Sequence, residues 1–166
     1  MSTQKGFTLT EILLMGGVIL LVSILAVIAV NSARSKQRDA VRLGNVRQIQ
    51  TSLENYFTDR NTYPMGVALP LGDSAQSTCL GSDGFVGNCS GADTVFLRVV
   101  PGTYQKGLKG LMMCGEPTRD AFCYTQGEDG MSYTIQFELE NAVSMAGLIE
   151  GINCATPNGI EGGTCE

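Results

Sequence analysis

The sequence contains no histidine and no tryptophan, and none of its six cysteines precedes residue 79. Without histidine the chain has no imidazole to act as a catalytic base or to bind a metal ion. It also lacks the G-x-S-x-G sequence of a nucleophile elbow and the G-x-x-x-x-G-K-[ST] loop that binds phosphate. These absences argue against an enzyme and favour a structural or binding protein.

Charge is absent from residues 12–30, a run of nineteen mostly aliphatic residues. At 1.5 Å per residue such a helix spans the hydrocarbon core of a bilayer, so the run predicts a transmembrane helix. A cleaved secretory signal is the alternative, because Lys5 precedes the run and small residues follow it. Three features argue against a signal peptide. The apolar run is longer than the apolar part of most signals, Glu11 stands at the start of the run, and helical periodicity continues after the run.

Charge is distributed unevenly over the rest of the chain. Residues 1–48 hold six of the eleven Lys and Arg residues and two acidic residues, a net charge of +4, which leaves −9 on residues 49–166. Because nucleic-acid backbones are bound mainly by Lys and Arg, the acidic part gives no strong nucleic-acid signal.

The residues that precede the apolar run carry the most specific signal. The segment Lys5-Gly6-Phe7-Thr8-Leu9-Thr10-Glu11 resembles the leader junction of type IV pilins and type II secretion pseudopilins. The resemblance implies that a prepilin peptidase cuts between Gly6 and Phe7, that the new amino terminus at Phe7 is methylated, and that Glu11 pairs with the terminal amine of a neighbouring subunit. Such a pair is physically reasonable, since two opposite charges buried among helices compensate each other. Glu11 reaching towards the lipid headgroups is the simpler alternative.

The sequence departs from the pattern of that family at three points. Thr10 stands where isoleucine is commonest, Gly16 and Gly17 form an unusual pair, and Ile28 stands where many pilins have a helix-kinking proline. The resemblance continues from Arg38 to Pro64, where the sequence is similar to a pseudopilin stalk.

Beyond the apolar run the pattern becomes amphipathic. The spacing of Val46, Ile49, Leu53 and Phe57 predicts a helix with one buried face, continuing the helix that begins near residue 7 and ending near residue 59. A basic cluster lies on this part of the chain: Arg34, Lys36, Arg38, Arg42 and Arg47. We expect these cations to form a solvated helix face or to contact anionic lipids, or else to contact the acidic heads of neighbouring subunits.

The basic cluster would favour a cytoplasmic position for this end of the helix under the positive-inside rule. That rule weakens for long translocated domains, and an even number of cysteines in residues 79–166 indicates an oxidising compartment. The leader resemblance implies an amino terminus in the cytoplasm, so we expect the head outside the inner membrane. The same resemblance implies that the head later lies in a cell-surface or periplasmic filament.

Residues 65–93 are rich in Gly, Ser, Asp and Asn and predict a long loop. Strands are predicted over 94–100 and 132–139 and near 148–154, with the turn 127–130 as a hairpin tip. In the second strand Tyr133, Ile135, Phe137 and Leu139 share one face, which should pack on the helix. The predicted fold is α+β: a long amino-terminal helix on a small antiparallel β-sheet head.

The cysteines are Cys79, Cys89, Cys114, Cys123, Cys154 and Cys165. No two are closer than nine positions, unlike the close pairs of structural zinc sites, although zinc ligation and buried thiols stay as alternatives. Six cysteines permit fifteen pairings. We expect pairing between sequence neighbours, that is Cys79 with Cys89, Cys114 with Cys123, and Cys154 with Cys165, because each pair brackets a polar or Gly-rich stretch.

The acidic residues of the head do not form an evident pair of catalytic acid and base. Glu128 and Asp129 are expected in a turn, and Glu138 and Glu140 on the solvent face of a strand, rather than as acid and base. No cofactor is predicted. Calcium is the one ion that the resemblance suggests, with oxygen ligands from Asp83, Asp93 or Asp129, but no spacing matches an EF-hand.

The predicted organisation is a leader (1–6), a transmembrane and filament-core helix (7–33), an amphipathic stalk helix (34–60) and a disulfide-stapled head (61–166). The resemblance implies a structural subunit that self-assembles into a type IV pilus or a similar helical filament, with a prepilin peptidase and an assembly machinery as partners. One alternative is a pseudopilin of a type II secretion or DNA-uptake apparatus. Another is a single-pass, membrane-anchored binding module.

Overall fold

The computed structural model describes residues 6–103, 105–115 and 119–165, except for the side chains of residues 119 and 120. Helix α1 spans Leu9–Arg60, a length of 52 residues. Ten short strands follow it in the order β1 (Leu69–Pro70), β2 (Cys79–Gly81), β3 (Gly84–Val86), β4 (Val95–Leu97), β5 (Met113–Cys114), β6 (Arg119–Asp120), β7 (Cys123–Gln126), β8 (Tyr133–Leu139), β9 (Gly151–Thr156) and β10 (Gly159–Gly162). The α+β class predicted from the sequence is confirmed, and the chain divides into two units, residues 1–35 and 36–166.

The first unit contains the amino-terminal part of α1. Its aliphatic side chains are exposed around the whole helix, from Leu9 at 81 % to Val30 at 46 %. A helix with this length and composition is able to cross a membrane, although a signal sequence would pass the same test. The structure therefore agrees with a membrane anchor, while the orientation of the chain stays a prediction.

The second unit is built on the carboxyl-terminal part of α1. Val46, Ile49 and Leu53 are fully buried, as the amphipathic pattern predicted. They share one apolar core with the alternate residues of β8, namely Tyr133, Ile135, Phe137 and Leu139. The helix stripe and the strand alternation therefore identify the two faces that meet.

The main sheet has five antiparallel strands in the order β1-β7-β8-β9-β10. Strands β7 and β8 form the predicted hairpin, in which the Gly127 amide donates to the carbonyl of Ser132 at 2.9 Å. The last predicted strand is displaced, since β9 occupies Gly151–Thr156 rather than 148–154, and the sequence did not predict β10. Pro157 and Asn158 link β9 to β10 in a two-residue turn.

Two smaller sheets lie in the segment between α1 and β7. Strands β3, β2 and β4 form one sheet and β5 and β6 the other. The long loop predicted for residues 65–93 is therefore wrong in part, because β1, β2 and β3 fall within it. The predicted strand 94–100 is wrong at its ends, because pairing covers only Val95–Leu97.

Disulfide bonds join Cys79 to Cys89 and Cys154 to Cys165, two of the three predicted pairs. Cys114 and Cys123 are buried thiols whose side chains are hydrogen-bonded to each other. The third predicted pair is thus brought into contact but is not covalently closed.

Candidate assembly site at the amino-terminal helix

The start of α1 carries the residues that the leader resemblance singles out. Gly6 and Phe7 precede the helix, and Phe7 is 70 % exposed. Thr8 immediately precedes the first helical residue, and Glu11 lies in the first turn. Residues 1–5 of the predicted leader lie outside the described residues. Gly6 and Phe7 therefore lie at the exposed amino-terminal end of the helix, and cleavage between them stays a prediction.

Thr8 and Glu11 cap the helix reciprocally. The Glu11 amide donates to the Thr8 hydroxyl at 3.4 Å, and the Thr8 amide donates to the Glu11 carboxylate at 3.4 Å. This arrangement is a capping box, which satisfies backbone amides that have no partner in the first helical turn. A negative charge in this turn also interacts favourably with the helix dipole. Glu11 therefore has a local structural role in addition to any role between subunits.

The capping box was present in the sequence as the pattern T-x-x-E immediately before an apolar run. This signal for the start of the helix was missed among the expectations drawn from the sequence. Its consequence is that the carboxylate is held next to the amide of Thr8, one residue after the predicted new amino terminus at Phe7.

The surface that follows Glu11 is apolar on every side. Ile12, Leu13 and Leu14 are each more than 60 % exposed, and Gly16 and Gly17 have no atom near enough to restrict an added Cβ. Water would be a poor solvent for such a surface, so it requires lipid or other apolar helices around it. The two glycines leave room for a neighbouring backbone to approach closely.

Part of the basic cluster lies in a different environment from the one predicted. Arg42 is fully buried and donates to Asp39 at 2.8 Å, to Glu140 at 2.6 Å and to the carbonyl of Lys106 at 2.7 Å. Arg38 forms a second, bidentate contact with the Glu140 carboxylate. The expectation that these cations face solvent, lipid or neighbouring heads is therefore wrong for Arg38 and Arg42, which bind their own head. Arg34, Lys36 and Arg47 are exposed.

Asp39 completes this buried ionic network from the helix. Its carboxylate accepts hydrogen bonds from the backbone amides of Glu140 and Asn141, each at 2.9 Å, and from the Asn141 side chain at 2.8 Å. The network formed by Arg38, Asp39, Arg42 and Glu140 thus fixes the residues that follow β8 onto α1. Charged side chains that are this well paired tolerate burial.

Glu138 is buried and the Glu140 side chain is only 8 % exposed, so their predicted position on a solvent face is wrong. Glu140 lies in the ionic network, and the Glu138 carboxylate accepts the backbone amides of Lys109 at 2.6 Å and Leu111 at 2.7 Å. The segment that donates these amides covers the face of the sheet on which Glu138 stands. A strand alternation predicts two faces but does not predict what covers the second one.

The three aspartates suggested as calcium ligands, Asp83, Asp93 and Asp129, do not come together as an ion site. Asp129 accepts the Met131 amide at 2.9 Å within its turn, and Asp83 and Asp93 are exposed. Among the residues that the structure describes, no group of three or more Cys, Asp or Glu side chains is placed to hold a metal ion.

The ionic network should make the head sensitive to acid. Hydrogen bonds from Arg38 and then Arg42 hold the pKa of Glu140 below its ordinary value, despite the opposing effect of burial. A carboxylate whose pKa is lower in the folded state contributes stability that is fully present above its unfolded pKa of about 4.3 and is lost as the pH falls through the folded pKa. We expect urea unfolding, followed by near-ultraviolet tyrosine dichroism, to show this loss as the pH is lowered below about 4.3.

Glu140→Gln is the matched control for this acid sensitivity, since glutamine is similar in shape but does not titrate. The variant should be less stable than the wild type at pH 7, and it should lose less stability on acidification. Equal losses in both proteins would show that another group carries the acid dependence.

Comparisons with protein-family models, with curated proteins and with solved structures found no match to this chain.

Proposed function

We propose that the chain is a structural subunit of a type IV pilus or a pilus-like filament. The observation that carries the proposal is the amino-terminal helix: a pilin-like junction at Gly6-Phe7, one carboxylate at Glu11, and an uncharged aliphatic surface exposed on all sides. The same surface suits lipid before assembly and identical helices after it. Assembly then moves this helix from one apolar environment to another.

In this proposal the membrane holds the precursor with its amino terminus in the cytoplasm and its head outside. A prepilin peptidase removes residues 1–6, the new terminus at Phe7 is methylated, and an assembly machinery drives the packing of subunits. Glu11 and the terminal amine of a neighbour compensate each other inside the filament, where either charge alone would be destabilising. Two disulfide bonds in the head agree with an oxidising compartment.

Two other functions predict different observations. A pseudopilin of a secretion or DNA-uptake apparatus would share the junction and the helix but would form short periplasmic assemblies rather than long surface fibres. A membrane-anchored binding module would keep residues 1–6 on the mature protein. For such a binding module, the head contains a groove of about 460 Å³ between α1 and the β9–β10 hairpin. Arg47, Glu54 and Tyr133 are among the residues that line it.

Processing provides the direct test. We expect amino-terminal mass spectrometry of the mature protein to begin at a methylated Phe7. Gly6→Val should leave an uncut precursor, because a branched side chain is introduced next to the bond that is cleaved. Gly17→Val is the matched control, since it makes the same substitution beyond the junction and should be cut normally. A Gly6→Val protein that still begins at Phe7, or a wild-type protein that keeps residues 1–6, would contradict the proposal.

A further inference from the structure

The main sheet has an outer face, which carries Thr134, Gln136 and Glu138 and lies opposite the core face. A strap formed by residues 109–114 crosses it. The strap is held by the two amides that bind Glu138 and by an ion pair of 2.6 Å between Lys109 and Glu150. Its last residue, Cys114, lies in β5, and the chain returns through β6 to Cys123 at the start of β7.

This path brings two thiols together at one end of the strap. Cys114 and Cys123 belong to a small buried cluster with Ala121, and Met112 packs against it. The position of Cys123 is fixed by its pairing with Gln136 in β8, while that of Cys114 is fixed by the β5–β6 pairing. Both thiols are therefore prepositioned by paired backbone, and no rearrangement of the sheet is needed for them to meet.

A groove of about 680 Å³ reaches this pair from solvent. Both thiols line it, together with apolar residues of the β1 segment that include Val67 and Pro70. Both thiols are nearly buried, Cys123 at 8 % and Cys114 at 4 % exposed, at the inner end of the groove. The hydrogen bond from Cys114 also lowers the pKa of Cys123, which outweighs the opposing effect of burial and favours its thiolate.

We propose that Cys123 is a thiol–disulfide exchange site that receives a disulfide-bearing oxidant through this groove, and that Cys114 is the resolving thiol that closes a third intramolecular bond. The other four cysteines are already joined in pairs, so they do not compete for the oxidant. Closure would fix the end of the strap to β7 and complete the outer face of the head. This proposal is independent of filament assembly.

The chemistry balances in two steps. The Cys123 thiolate attacks one sulfur of the oxidant, the S–S bond of the oxidant breaks, and a mixed disulfide forms as the first oxidant thiolate leaves. Cys114 then loses its proton to water and attacks the Cys123 sulfur, which releases the second oxidant thiolate. The protein loses two electrons and two protons, and the oxidant gains both as two thiols.

Oxidised glutathione is a suitable probe, applied to the full-length protein in detergent micelles. In Cys114→Ser the resolving thiol is missing, so glutathione should be trapped on Cys123. In Cys123→Ser it should be trapped on Cys114, but about tenfold more slowly, since the rate follows the thiolate fraction and the access of the attacking sulfur. Wild-type protein mapped without reduction should show a Cys114–Cys123 peptide and no glutathione adduct.

The double variant Cys114→Ser/Cys123→Ser is the background control and should take up no glutathione. Intact Cys79–Cys89 and Cys154–Cys165 peptides are checked in each variant, and Cys123→Ala repeats the Cys114 rate without an added hydroxyl. Equal trapping rates, faster trapping on Cys114, or a treated wild type that keeps both thiols or retains glutathione would each overturn the proposal.

Discussion

Replacing Glu11 with alanine is expected to leave the protein in the membrane and to abolish filament formation. In a single helix the carboxylate is a cost in an apolar environment, so its removal does not impair insertion. In a filament the terminal amine of a neighbour would lose its partner. A buried charge without a partner costs about 3–5 kcal/mol, which corresponds to a loss of association of about a hundredfold or more.

Glu11→Gln separates this pairing from the capping box that the structure contains. Glutamine is able to accept the Thr8 amide as glutamate does, so it preserves the cap but removes the charge. If the charge is needed between subunits, the glutamine variant should fail to assemble as the alanine variant does. If only the cap is needed, the glutamine variant should form filaments and the alanine variant should not.

Membrane fractionation with filament shearing and electron microscopy measures both results on the same cells. Thr8→Ala is a further control, because it removes the hydroxyl half of the capping box and leaves the carboxylate in place. Filaments of normal length and number from the Glu11→Gln variant would remove the pairing hypothesis, whatever the alanine variant forms. Loss of filaments when Glu11→Ala is mixed with wild type would indicate an effect that extends beyond one pair of subunits.

Local patterns were sufficient to predict two elements of the core, the carboxyl-terminal part of α1 and β8. The helix stripe at Val46, Ile49 and Leu53 and the alternation of β8 each depend on a fixed backbone period, so burial follows from the sequence alone. The two confirmed disulfide bonds close loops of ten and eleven residues, for which sequence neighbours are the simplest partners. The short strands β1 to β3 were missed because two or three residues give no readable alternation.

The buried ionic network could not be predicted in this way. Glu140 lies about a hundred residues from its partners, at separations of 102 from Arg38 and 98 from Arg42. A helix arginine next to other cations, and a glutamate at a strand end, are both typical of a solvated surface. Only the approach of the end of β8 to α1 changes their environment. The apolar patterns predict that the two faces meet, but they do not specify which charged residues come together.

Arg42→Met is expected to destabilise the head by about 3–5 kcal/mol, because it leaves the Asp39 and Glu140 carboxylates buried with fewer compensating charges. Methionine keeps most of the aliphatic volume, so loss of packing contributes little. Arg38 still binds Glu140, and the amides of residues 140 and 141 still bind Asp39, which places the effect towards the lower end of that range.

Arg47→Met is the matched control, since Arg47 is exposed on the same helix and its replacement should change stability by no more than about 0.5 kcal/mol. Urea unfolding of the full-length protein in detergent, followed by tyrosine dichroism, measures both variants. Combining Arg42→Met with Glu140→Gln should cost less than the sum of the two single changes, because the second removes the charge that the first leaves uncompensated. If Arg42→Met costs no more than Arg47→Met, or if the two changes simply add, then the network does not hold the end of β8 on the helix, and packing of the apolar core alone must fix the head to α1.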